Sequence, residues 1–203
     1  MLAYTIDAAR SSRSLSRVIV STEDQEIAEL SRTLGADIPF LRPADLASDD
    51  TPMIDVVAHA LRTLDAQGYR ADVLVLLQPT SPFRRAEHVD GVIDLLLASS
   101  ADSVVTVMQV PHQFTPASLL QLRGDCLEPW TAGPAVTRRQ DKPVLFARNG
   151  PAIVATHSRV VLSQHTLYGP DTRGFVMSRE DSLDIDDQFD LRVAELLMAS
   201  RPV

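Results

Sequence analysis

The sequence predicts an α/β protein: a mostly parallel sheet with helices on both faces and a β-rich excursion late in the chain. Two observations carry that expectation. Strand-like and helix-like segments alternate through the first half of the chain, the pattern of a sheet wrapped by crossover helices. Within it, "DVLVLLQP" at 72–79 is an unbroken apolar run closed by Pro79, as expected of a central parallel strand buried on both faces. Past Val110 the segments shorten and turn residues multiply, which is the origin of the excursion.

The elements follow in order. Leu2 to Arg10 places apolar residues at Leu2, Ala3, Ile6 and Ala9, a helical spacing. "RVIVS" at 17–21 reads as a short buried strand, and "TEDQEIAELSRTLG" as a helix with Thr22 as its N-cap, acids in its first turn and Gly35 as its stop. A strand at "IPFLR" precedes a helix from about Met53 to Gln67, stopped by Gly68. After the strand at 73–77 come the helix "AEHVDGVIDLLLAS" and the strand "DSVVTVMQV". "SLLQLRGDCLEPW" reads as a hairpin turning at Gly124 and Asp125, "PAIVATH" as a strand and "RVAELLMA" as the last helix. No internal repeat or linker interrupts the chain, so 1–203 is read as one domain with an excursion at roughly 110–145. An alternating domain more naturally opens on a strand than on an uncapped helix, so a first strand and its loop are expected to lie outside this chain.

With 203 residues the chain can bury a sizeable core in one domain. Its 45% hydrophobic and 23% charged residues are those of an ordinary globular protein rather than a disordered one. A formal charge of −8 argues against nucleic acid as a partner, while leaving room for a local basic pocket for a small anion. The lone cysteine, Cys126, forms no internal disulfide and no metal cluster, which fits a reducing cytoplasm. The purest apolar run, Val73 to Leu77, falls far short of the roughly twenty residues that span a bilayer, and no membrane partner is expected.

Ligands of parallel sheets bind beyond the carboxyl ends of the strands, which singles out "QPTSPFRR". Gln78 donates and accepts, Thr80 and Ser81 offer hydroxyls, and Arg84 and Arg85 can fork onto carboxylate or phosphate. Pro79 and Pro82 stiffen the loop. A rigid turn carrying a solvated arginine pair is the plainer reading. "TRRQDKP" at 137–143 is a second basic loop, serving either an anionic ligand or solvent. Asn149-Gly150 is a turn signal first and a ligand site second.

The stretch "SLDIDDQFDL" packs Asp184, Asp186, Asp187 and Asp190 into ten residues. Asp187 and Asp190 suit the start of the following helix as caps. In an extended segment Asp184 and Asp186 share one face with Ile185 on the other, and two such charges repel unless a cation or a proton relieves them. Magnesium, which takes carboxylate and phosphate oxygens, would do so.

Taken in order, "RVIVSTEDQEIAE", "FLRPADLASDD", "LLQPTSPFR", "RRQDKP…ARNG" and "MSREDSLDIDDQFDLRVAE" resemble the acylneuraminate cytidylyltransferases, the CMP-sialic acid synthetases, from Leu2 to about Leu197. The resemblance implies a Rossmann-like fold of the nucleotidyltransferase type and a homodimer joined by a β-rich arm. It also implies magnesium-dependent transfer of CMP from CTP to a nine-carbon keto sugar acid, with pyrophosphate released. On this reading Asp184 and Asp186 match the family's metal-binding aspartates, Arg42 a nucleotide-side contact, Gln78 the sugar pocket and Arg139 a substrate-side arginine. Thr80, Ser81, Arg84 and Asn149 join them as substrate-binding candidates. Met53 stands where some members carry a serine near the nucleotide. The family's pattern opens with a loop of the type "RxGSKxxxxKN", whereas this chain opens beyond it. A second expectation is therefore a catalytically impaired homologue that binds sugar or nucleotide, or serves dimerisation.

Overall fold

The structure, a computed structural model, describes residues 1–131 and 138–200. Its helices are α1 (Leu2–Arg10), α2 (Gln25–Thr33), α3 (Met53–Ala66), α4 (Ala86–Leu97), α5 (Ser158–Gln164) and α6 (Gln188–Ser200). Its strands are β1 (Val73–Leu77), β2 (Ser103–Gln109), β3 (Leu120–Arg123), β4 (Cys126–Pro129), β5 (Phe146–Arg148), β6 (Ile153–His157) and β7 (Thr172–Val176). Most helix ends are written locally. Gly35 and Gly68 follow α2 and α3 with φ of 86° and 84°, a conformation that other residues adopt only with strain. The N-cap of α2 is Asp24, whose carboxylate accepts from the N–H groups of Glu26 and Ile27. Thr22 sits one step back, its hydroxyl accepting from Asp24 N–H.

The main sheet runs β1-β6-β2-β5, with β7 also paired to β2. It corrects the expectation of a mostly parallel sheet, because among the named strands only β2 and β7 pair parallel. The strand–helix–strand unit from β1 through α4 to β2 is nonetheless real. β6 lies antiparallel to both β1 and β2, so those two point the same way with a reversed strand between them. The run at 73–77 is also not central: β1 ends the strand order and is half-buried throughout. Its uniform apolarity reports helices above and below it rather than strands on both sides. "RVIVS" and "IPFLR" form no strand; a single parallel bridge joins Ile19 to Asp37.

Both faces of the sheet are covered, as expected. On one, Val89, Val92, Ile93 and Leu96 of α4 pack with Val104, Ile153 and Ala155, and with the half-buried Val73, Val75 and Leu77. On the other, Val57, Ala58 and Leu61 of α3 and Val161 of α5 pack with Val105 and Val154, and with Leu74 and Leu76. The α4 stripe repeats at i, i+3, i+4 and i+7, one helical face, and full burial of each such side chain stabilises by about 1.5–3 kcal/mol.

Two irregularities position the site. Between Val107, opposite Arg148, and Val105, opposite Val154, the strand facing β2 carries extra residues, so 149–152 bulge from the sheet. Further on, β7 leads into the acidic segment that ends on α6. There Asp187 Oδ1 accepts from the N–H groups of Phe189 and Asp190 at 2.7 and 3.0 Å. Asp190 Oδ2 reciprocates to the N–H groups of Asp186 and Asp187 at 3.1 and 3.2 Å. The excursion contains the β3–β4 hairpin, turning at Gly124 and Asp125 as read, and its residues 132–137, with Thr137 of the second basic loop, lie outside the described residues.

Candidate active site

A cavity of about 670 Å³ opens where β1, β2 and β7, which all point one way, deliver their carboxyl ends. Gln78, Pro79 and Thr80 follow β1 and form one wall. Asn149 and Gly150, from the bulge before β6, form a second. Ser182, Asp184 and Asp186, beyond β7, form the third. This is the crevice that a set of co-directional strands offers to a ligand. The intervening antiparallel β6 does not spoil it.

The acidic segment is tied to the loop after β1. Ile185 N–H donates to the carbonyl of Thr80 at 2.9 Å, and the hydroxyl of Ser81, itself fully buried, donates to Asp184 Oδ1 at 3.2 Å. Asp184 and Asp186 both line the cavity, and Ile185 between them does not, which is the alternation of an extended segment. Gly150 is required where the bulge meets this carboxylate. Its φ is 109°, and a Cβ there would stand 2.7 Å from Asp184 Oδ2. Asp184 and Asp186 are the pair that could hold a divalent cation; among the described residues no group of three or more His, Cys, Asp or Glu is arranged to do so.

The model of the family described as cytidylyltransferase matches residues 1–188. The chain belongs to the cytidylyltransferase family. It is 28% identical over 199 residues to the CMP-N,N'-diacetyllegionaminic acid synthase of Legionella pneumophila, an alignment covering 98% of this chain and 84% of that protein. It is 29% identical over 197 residues to the N-acylneuraminate cytidylyltransferase of Escherichia coli, covering 96% of this chain and 45% of that protein. The fold is similar to that of a solved CMP:2-keto-3-deoxy-manno-octonic acid synthetase complexed with CTP, at a TM-score of 0.68 and 14% identity, over 97% of this chain and 86% of the other. The chain is thus a cytidylyltransferase, an enzyme that transfers CMP from CTP.

Within this cytidylyltransferase the expected residues divide into those that line the cavity and those that do not. Gln78, Thr80, Asn149, Asp184 and Asp186 line it. Asn149 is spent on structure: buried, its Oδ1 accepts from Thr106 Oγ1 and Ala152 N–H, and its Nδ2 donates to Ser182 Oγ at 2.9 Å. Ser81 stands behind Asp184 rather than in the cavity. Arg84, expected to fork onto an anion, is 3% exposed and donates to the carbonyls of Gln78 and Ala152 and to the hydroxyl of Thr5. Burial lowers its pKa to about 10, against the pull of Asp184, so it stays a cation at neutral pH. Arg42 pairs with Glu23, and the bond from Arg42 holds that carboxyl below its usual range. Arg139 lies on an exposed turn at Arg139–Asp141, and neither it nor Arg42 lines the cavity.

Three lining residues escaped the reading of the residues by themselves. Arg148 is the cation among the described residues that line the cavity, its guanidinium stacked 4.9 Å over the ring of Tyr168. Met108 comes from the end of β2, and Ser182 from the segment beyond β7. A lone arginine before a turn signal carries no local mark of its position. Only pairing with β2 places it there.

Proposed function

We propose that this cytidylyltransferase transfers CMP from CTP to a nine-carbon keto sugar acid of the sialic or legionaminic type, with magnesium, releasing pyrophosphate. The observation that carries the reading is the convergence on one cavity of the "QPTS" loop with Asp184 and Asp186, fastened by the bond from Ile185 to Thr80. The Legionella and Escherichia coli relatives, a diacetyllegionaminic acid synthase and an acylneuraminate cytidylyltransferase, support that acceptor class. The transfer forms a bond between the anomeric oxygen and the α-phosphorus as the bond to the pyrophosphate oxygen breaks, and the hydroxyl proton is lost. The chain's own residues bind and orient. Gln78 and Thr80 present amide and hydroxyl groups to the polar acceptor, and Arg148 brings positive charge to a cavity whose other charged lining residues are the carboxylates Asp184 and Asp186.

Asp184 and Asp186 are the residues that would hold the metal. Two carboxylates with room for phosphate oxygens and water suit a hard cation such as magnesium, and among the described residues that line the cavity there is no Cys or His, unlike a zinc site. Bound magnesium supplies charge neutralisation on the phosphate oxygens as the bond to pyrophosphate breaks. A homodimer accompanies this reading: Leu120, Leu122, Leu127 and Trp130 on the β3–β4 hairpin are exposed, an apolar surface suited to a second copy. The experiment is an assay for the CMP-sugar and pyrophosphate, using CTP, magnesium and a panel of eight- and nine-carbon keto sugar acids. Turnover confined to nine-carbon acids, dependent on magnesium and lowered about a hundredfold or more by Asp186→Ala, agrees with the proposal. Turnover indifferent to the metal and to that substitution refutes it.

A further inference from the structure

Arg84 is an expensive residue to keep. A buried guanidinium loses its hydration, and here its Nε finds no hydrogen-bond partner. An apolar side chain would fill the same space without that penalty. What an apolar side chain could not do is bond three separate segments at once. Nη1 donates to the carbonyl of Gln78 at 3.0 Å and to that of Ala152 at 2.6 Å, while Nη2 donates to Thr5 Oγ1 at 2.7 Å. Gln78 begins one wall of the cavity, and Ala152 closes the bulge that carries the opposite wall at Asn149 and Gly150. Ala152 N–H is itself held by Asn149 Oδ1 at 3.3 Å, so the carbonyl that Arg84 grips belongs to the same clasp as the lining asparagine.

We propose that Arg84 is a positioning residue for CMP transfer: by bonding the carbonyls of Gln78 and Ala152 it fixes the separation of the two walls between which substrate lies. It touches no substrate itself. The planar fork matters more than the charge, because one ammonium cannot reproduce its directed bonds to acceptors on three segments. The inference rests on the CMP-transfer reading, and its test has an arm that does not.

The test compares Arg84→Lys, which keeps the charge, with Thr5→Val, which removes only the acceptor for Nη2 and leaves both wall contacts. Activities are scaled to folded protein, and thermal midpoints are recorded alongside. Arg84→Lys should lower kcat about tenfold or more with little change in the KM for CTP, because lost orientation is costly in rate. Thr5→Val should stay within about twofold of the parent, even where its midpoint falls as far, since a role confined to stability would move both alike. Should Arg84→Lys fail to fold, Arg84→Met removes the buried charge along with the fork and takes its place. Hydrogen exchange is the independent arm. The amides of Ser81 and Ile185, bonded within and to the "QPTS" loop, should exchange faster in the Arg84 variant and not in Thr5→Val. Equal losses of activity in the two variants, or unchanged exchange in the Arg84 variant, overturn the proposal. If the parent chain shows no CMP transfer, the functional reading fails and exchange alone decides the role of Arg84.

Discussion

Asp181 shows how single side chains secure the acidic segment. Burial pushes its carboxyl upward, but bonds from Ser178 and Arg85, with the charges of Arg85 and His88, outweigh that and hold it below the ordinary value of 3.8. Arg85 bonds to Asp181 Oδ1 at 2.5 Å, and His88 stands 3.7 Å from Oδ2, so the start of α4 is fastened to the loop just before Asp184. On acidification the unfolded chain takes up the proton first. The contribution of Asp181 is therefore fully present above the unfolded value and is lost as pH falls through the lower folded value. Asp181→Asn should cost about 1–3 kcal/mol near neutrality, as for a buried hydrogen bond to a charged group. Urea melts between pH 7 and pH 3 check this: the gap between parent and variant should narrow below about pH 4. A gap of constant size would assign the loss to packing instead.

Among the elements, α4 binds the site to the core. Its buried face lies on β2 and β6, and its N-terminus is continuous with the loop that carries Gln78 to Arg85. Leu96 is fully buried at the far end of that face, away from the cavity. Leu96→Ala should destabilise by about 2–5 kcal/mol, by lost burial plus the cavity left behind. The rate per folded molecule should stay near that of the parent, and denaturant melts paired with active-enzyme titration measure the two separately. The helices other than α5, which carries too short a stripe to stand out, were legible because a 3.6-residue apolar stripe is a local signal, and Gly35 and Gly68 mark the ends of α2 and α3. Strand direction was not. Nothing in "PAIVATH" says that it inserts between β1 and β2 in reverse, since an apolar run is the same read either way and the pairing partner is about eighty residues distant. The edge position of β1 was hidden for a related reason: helices cover both of its faces.

At the scale of the whole molecule, the fold brings to one crevice residues separated by more than a hundred positions, as Thr80 and Asp184 are. The two motifs that meet there were legible because each is chemically unusual on its own, one dense in hydroxyls between prolines and the other in carboxylates. Arg84 was misread as a ligand-facing residue because sequence shows charge but not burial. Arg148 was passed over because its place depends on long-range pairing with β2. Among the described residues no helix is long and apolar enough to cross a membrane. On the proposed function, CTP reacts in the cavity walled by Gln78, Thr80, Asn149, Asp184 and Asp186. A crystal structure of the protein with CTP and magnesium tests it most directly. The triphosphate should lie in that cavity, with a metal ion between its oxygens and the carboxylates of Asp184 and Asp186; a nucleotide bound elsewhere, or a metal that leaves both carboxylates untouched, would overturn the assignment.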